Sequence, residues 1–97
     1  MRIEVLDMAA EDLIEGLHFY EDQQAGLGSY FLANLHADIE SLRLYGGTHR
    51  QAYLGYHRLL SKRFPFAVFY KVQDDTVFIY AVIDCRRDPA WIRRRLE

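Results

Sequence analysis

The chain opens on a short β-branched stretch, Arg2-Ile3-Glu4-Val5-Leu6, which predicts a first strand. The period then lengthens. From Met8 to Gln24, Leu13, Leu17 and Tyr20 recur at helical spacing with Ile14 and Phe19 beside them, so the segment is expected to be an amphipathic helix. Asp7 stands where a carboxylate can cap that helix, and Glu11 and Asp12 follow in the turns where the helix dipole favours acids. Gly26 and Gly28 interrupt the pattern. Ser29 offers a cap for a second helix, whose stripe is Leu32, Leu35, Ile39 and Leu42, widened by Phe31, and which Gly46-Gly47 ends. Two helices joined by a short glycine-containing link predict an antiparallel helical hairpin.

After Gly47 the apolar residues cluster into strand-sized runs. Gln51 to Gly55 reads as a loop and Tyr56-His57-Arg58-Leu59-Leu60 as a strand. Lys62-Arg63-Phe64-Pro65 is a turn, because proline is excluded from a central ladder position. Phe66 to Val72 is an aromatic and β-branched strand, Asp74-Asp75 a tight reversal, and Thr76 to Ile83 the next strand. These last two strands hold few polar residues, which predicts cover on both faces. Asp88-Pro89 then starts a short helix over Ala90 to Leu96, since the aspartate can cap and proline suits the first helical position. The expected fold class is α+β, with a helical hairpin packed on a small, mainly antiparallel sheet, in the order β-α-α-β-β-β-α.

Length and charge sharpen this picture. At 97 residues there is room for one hydrophobic core, so residues 1–97 are expected to form one domain. The longest apolar runs are strand-sized, short of the ~20 residues of a membrane-spanning helix, and Met1 to Asp7 has no apolar signal-peptide core. The lone Cys85 excludes an internal disulfide, and a cytoplasmic location is expected. The net charge is only −2, yet its distribution is uneven. Residues 1–40 hold nine acids against one base, and residues 41–97 hold eleven bases against five acids, so the halves carry −8 and +6. One acidic side and one basic side are the expected consequence.

Few residues carry chemistry by themselves. His57 and Arg58 adjoin on one strand, and strand alternation sends them to opposite faces. An imidazole titrating near pH ~6.5 can act as base or acid, which makes His57 and the preceding His49 worth placing, whereas His18 and His36 fall on helices as surface or packing residues. No pair has metal-ligand spacing, so neither a metal site nor a cofactor is expected. Cys85 lies beside Arg86 and Arg87, which can favour a thiolate, although packing is the commoner role for a lone cysteine. Trp91 can pack on the sheet or fill a partner's pocket, and Arg93-Arg94-Arg95 reads as a solvated, dipole-matched helix end.

Taken in order, three segments carry a resemblance: Leu13 to Glu21 with Gly26-Leu27-Gly28; Tyr56-His57-Arg58 through Phe64-Pro65-Phe66-Ala67-Val68-Phe69-Tyr70; and Val77 to Val82 running into Arg86-Arg87-Asp88-Pro89-Ala90-Trp91. Over nearly its whole length the chain resembles the RelE/ParE superfamily of bacterial toxins. The resemblance implies the toxin of a type II toxin–antitoxin system, often a plasmid stabilization protein, held inactive by a cognate antitoxin. RelE-like members cut mRNA on the ribosome and ParE-like members poison DNA gyrase without being nucleases. Cleavage by a ribose 2′-OH needs a proton acceptor, a donor and cations around the phosphorane. Arg58 matches one basic position of the nucleases and Arg86 or Arg87 another, with His57 as a substitute acid or base. Ala67 stands where those enzymes carry an arginine, and Trp91 where they carry a tyrosine; an indole transfers no proton. The expectation is therefore a ParE-like toxin rather than an enzyme, contacting its target through Arg58, Arg63, Arg86, Arg87 and Trp91. The ribosome-bound nuclease is the alternative, and a non-toxic fold relative that only binds its partner is a third. The antitoxin is expected to lie on the helical hairpin, against Leu13, Leu17, Tyr20, Leu35 and Ile39, and to add to the sheet.

Overall fold

The computed structural model describes residues 1–97, the side chain of Ala52 excepted. The chain runs β1 (Arg2–Val5), α1 (Asp7–Gln23), α2 (Leu27–Glu40), α3 (Leu42–Tyr45), β2 (Gln51–Tyr53), β3 (Tyr56–Leu60), β4 (Phe66–Gln73), β5 (Thr76–Asp84) and α4 (Pro89–Leu96). The strands form one sheet in the order β1-β5-β4-β3-β2. β1 lies parallel to β5, and the other neighbours are antiparallel. The α+β architecture is the expected one, with α3 and β2 added between the hairpin and the central strands.

Both additions have local causes. The second helix breaks at Ser41, whose hydroxyl donates to the Asp38 carbonyl at 2.6 Å, and α3 resumes for one turn before Gly46 ends it. β2 pairs with β3 across a two-residue turn in which Leu54 and Gly55 both take positive φ, 50° and 82°. Such a turn is usually announced by Asn or Asp at its first position. Leucine gives no such signal, so this strand read as loop. The Asp74-Asp75 reversal has the expected form, with φ of 50° and 57°.

Two expected caps are replaced. Leu6 holds the cap position of α1, so Asp7 lies inside the first turn, and α2 begins at Leu27 after Gly26, placing Ser29 within the helix. The N-terminus of α2 is satisfied from the neighbouring helix instead. The Glu21 carboxylate accepts from the N–H groups of Gly26 and Gly28 at 3.0–3.1 Å, where free amides and the helix dipole favour an anion.

The sheet is buried on both faces, as the apolar texture of β4 and β5 predicts. One face packs against the hairpin: Val68, Tyr70, Val77, Ile79 and Val82 meet Ala9, Tyr20, Phe31, Leu35, Ile39 and Leu42. The other carries Tyr56, Ala67, Phe69, Ala81 and Ile83 beneath α4, which contributes Leu96 with Trp91 and Ile92. A bulge opposite Phe69 and Tyr70 inserts Tyr80 into β5, so Tyr80 and Ala81 both belong to the α4 side while Ile79 and Val82 stay on the hairpin side.

The hairpin depends on close approach at Gly16 and Gly28. A methyl group on Gly28 would stand 2.5 Å from the Leu17 carbonyl oxygen, a backbone atom that no rotamer change can move. Gly28→Ala is expected to cost about 1–3 kcal/mol, the range of overpacked sites, while Ser29→Ala should stay within about 0.5 kcal/mol of the parent. Urea denaturation of the two variants measures the difference.

Candidate functional site

The junction from β5 to α4 is built by two carboxylates. Asp84 accepts from the Arg86 backbone N–H at 2.8 Å and grips the Arg86 guanidinium at 2.7–3.2 Å, closing the turn. The Arg86 side chain, its closest donor, holds the Asp84 carboxyl below its ordinary value against the opposing effect of partial burial. Asp88 then caps α4 by accepting from Ala90 N–H at 3.2 Å, with Pro89 in the first helical position as expected. Arg87 lays its guanidinium over the Trp91 ring, 4.0 Å from the centroid.

α4 is anchored by an ion pair that the charge pattern did not announce. β1 ends at Val5 opposite Ile79, so the N–H of Val82, farther along β5, has no strand to donate to. Asp12, on α1, takes that place: its Oδ2 accepts from Val82 N–H at 2.9 Å and from the Arg95 guanidinium at 2.7 Å. The two side chains are only 13% and 14% exposed, so Arg95 is not part of a solvated run. Burial still raises the Asp12 carboxyl above its ordinary value, outweighing both donors.

Between α4 and the outer face of the sheet lies an open cleft of about 350 Å³. Ala67, Phe69 and Ile83 form its floor, Pro89, Ile92 and Leu96 its helical wall, and Tyr53, Arg58, Cys85 and Arg93 its polar rim. Arg58 also borders a shallow hollow with Arg50, Gln51 and Leu60. Neither a carboxylate nor an imidazole lines either depression. The cation that bears on Cys85 is Arg58, not the neighbouring Arg86 or Arg87, and burial outweighs it, so the thiol is raised rather than activated.

The candidate residues therefore do not converge. Arg58 belongs to the α4 cleft. Arg87 and Trp91 line a separate groove against α1 with Phe19, Asp12, Glu15 and Asp84. Arg86 is engaged by Asp84, and Arg63 is exposed in the turn before β4. His57 faces the hairpin side, opposite to Arg58 as alternation requires; it stacks on Tyr70 at 5.1 Å and donates from Nδ1 to the His49 carbonyl at 2.7 Å. His49 is bonded to the Tyr70 hydroxyl at 2.7 Å, and that hydroxyl also accepts from Gly47 N–H. Both histidines pin the loop before β2 to the sheet. Arg93 and Tyr53 are the cleft residues that sequence reasoning missed, because one lies in an apparent charge run and the other in an apparent loop. Of the hairpin residues expected to meet an antitoxin, Tyr20, Leu35 and Ile39 sit in the core, Leu13 packs at its margin and Leu17 is half-buried. The apolar side chains that α1 and α2 leave exposed are Met8, Ile14, Phe19, Tyr30 and Leu32. Among the described residues no cluster of three or more His, Cys, Asp or Glu could hold a metal, and no helix is long and apolar enough to cross a membrane.

Two outcomes follow from these contacts. Arg95→Met leaves the Asp12 carboxylate buried with one donor, and is expected to lower stability by about 3 kcal/mol; Asp12→Asn in the same chain should restore part of the loss, read by urea midpoints. For Asp84, the folded-state pKa lies below the unfolded one, so its contribution to stability is present above the unfolded pKa and is lost as pH falls through the folded value. An NMR titration should place the Asp84 midpoint below ordinary aspartates, and Arg86→Gln should move it upward.

No protein-family profile and no curated protein sequence matches the chain. Among solved structures, one described as "Chromosomal ParDE TA system from P. aeruginosa" contains a chain that superposes with a TM-score of 0.78 at 18% identity, over 87% of this chain and 95% of that one. The helical hairpin, mixed sheet and C-terminal helix described above are thus the fold of a chain from a ParDE toxin–antitoxin structure.

Proposed function

We propose that this chain is the toxin of a type II toxin–antitoxin pair, neutralised in the cytoplasm by a cognate antitoxin, and that it acts in the ParE manner, by protein contact with DNA gyrase. The observation that carries the toxin reading is the agreement in fold with the ParDE structure over most of both chains. The choice between contact and cleavage rests on the cleft. Phosphodiester cleavage needs a group to take the 2′-OH proton and another to supply one to the leaving oxygen. Around Arg58 stand tyrosine, arginine, aliphatic side chains and a thiol that burial keeps protonated. His57, the substitute base, is on the other side of the sheet. Ala67 supplies no second cation at the floor, and Trp91 lies in the neighbouring groove.

One observation favours the nuclease reading, namely that Arg58 reaches the cleft without an ion-pair partner among the described residues. The guanidinium groups of Arg58 and Arg93 can steady a phosphorane, but with no carboxylate or imidazole lining the cleft to exchange protons the contact reading is preferred. Arg87 stacked on Trp91 gives a cation and an apolar surface together, a pairing suited to a protein interface.

Induced expression without the antitoxin is expected to arrest growth and raise the DNA-damage response, with both relieved in cells carrying a resistant gyrase. Cleavage of mRNA at ribosomal A-site codons would overturn the gyrase assignment in favour of the nuclease. Normal growth on expression would remove the toxin assignment altogether.

A further inference from the structure

We propose that the cleft between α4 and the outer face of the sheet is a docking site for an acidic segment of a protein partner that inserts one large apolar side chain. The inference stands on the cleft itself and goes beyond the toxin reading, which does not depend on it. Three features argue for it. The floor is apolar and has been kept low by a small residue: Ala67 lies on the same strand face as Phe69 and opposite Ile83, where a larger side chain would fill the space. The rim is cationic and uncommitted. Arg43, Arg86 and Arg95 are bound to Glu40, Asp84 and Asp12, whereas Arg58 and Arg93 at the rim, and Arg50 beside it, form no ion pair among the described residues. No acidic side chain of this chain lines the cleft or the adjoining hollow, so the positive charge there is left for a partner to neutralise.

An apolar floor under a ring of arginines selects for a ligand with both characters. The anchor would bury aliphatic and aromatic surface over the floor, and flanking carboxylates would meet the guanidinium forks in bidentate geometry. A single-stranded nucleic acid fits less well. It binds through exposed aromatic platforms and a tracking basic groove. The rim aromatic, Tyr53, has Arg93 over its ring at 5.7 Å, and the floor offers nothing to a phosphate.

Cys85, exposed at the rim and the sole cysteine, gives the cleft a built-in reporter. The probes are short fluorescein-labelled peptides alternating glutamate with leucine or phenylalanine, their lysine counterparts, and a single-stranded RNA oligomer. The wild-type chain is expected to bind an acidic peptide saturably by fluorescence anisotropy and to ignore the lysine peptides. Maleimide labelling of Cys85 should slow when that peptide is bound. Arg58→Glu with Arg93→Glu should weaken binding about tenfold or more, the effect of losing roughly one good ion pair. Arg94→Glu, an exposed arginine outside the cleft on the same helix, should leave it unchanged. Thermal melts of both variants verify folding, and if the Arg58 and Arg93 double variant is unfolded, Arg58→Gln is read in its place. The proposal is overturned by absence of saturable binding to the acidic peptides, by tighter binding of the RNA, by equal loss with Arg94→Glu, or by unchanged labelling of Cys85.

Discussion

The structure turns on one carboxylate. β1 is too short to accompany β5 to its end, and Val82 would otherwise present an unpaired N–H at the margin of the core. Asp12 reaches across from α1 to accept that proton and, with the same oxygen, the Arg95 guanidinium of α4. One oxygen therefore joins the hairpin, the sheet and the last helix, elements that otherwise pack on opposite faces of the sheet. Burying a charged pair gains little stability over an apolar contact, and the raised Asp12 carboxyl reflects that cost. What the pair supplies is placement: it sets where α4 lies, and so where the cleft opens.

The two faces of the sheet are closed in different ways. On the hairpin side, Tyr20, Phe31, Phe64 and Phe66 interlock with ring centroids 4.9–6.2 Å apart, and Gly16 and Gly28 let the helices approach until no space is left. On the α4 side the helix has only eight residues, and the sheet beneath it carries Ala67 and Ala81 between larger side chains. A short helix over a surface of mixed size leaves hollows at its edges. The bulge at Tyr80 adds to the asymmetry by sending an extra aromatic to this side, where Lys71 lies over Tyr56 and Tyr80. Function is thus expected on the face that packing leaves incomplete.

The order of the main elements was legible because it is encoded locally. Leu13, Leu17 and Tyr20 repeat at helical spacing, β4 and β5 are β-branched and aromatic, and Asp88-Pro89 carries its own cap chemistry. The same local signals misled where a distant residue could do the job. Asp7 and Ser29 are plausible caps by sequence, yet Leu6 occupies the α1 cap position without a side-chain bond, and at α2 the Glu21 carboxylate takes the role because a neighbouring helix can offer an oxygen as well as the chain itself can. The regular apolar stripe of the hairpin packs in the chain's own core, and the apolar side chains left exposed on α1 and α2 fall outside it.

The sequence by itself determined the α+β class, the hairpin, the double-sided burial of β4 and β5, and the separation of His57 from Arg58, since periodicity and alternation are properties of the backbone. Only the tertiary structure decided which arginines are free. Arg86 and Arg95 are held in ion pairs by Asp84 and Asp12, while Arg58 and Arg93, thirty-five positions apart in the sequence and without an ion pair among the described residues, are brought to the rim of one cleft. A charge's availability depends on what lies within a few ångströms of it, and for these residues that neighbourhood is made by strand pairing and by the seating of α4, which no local pattern records.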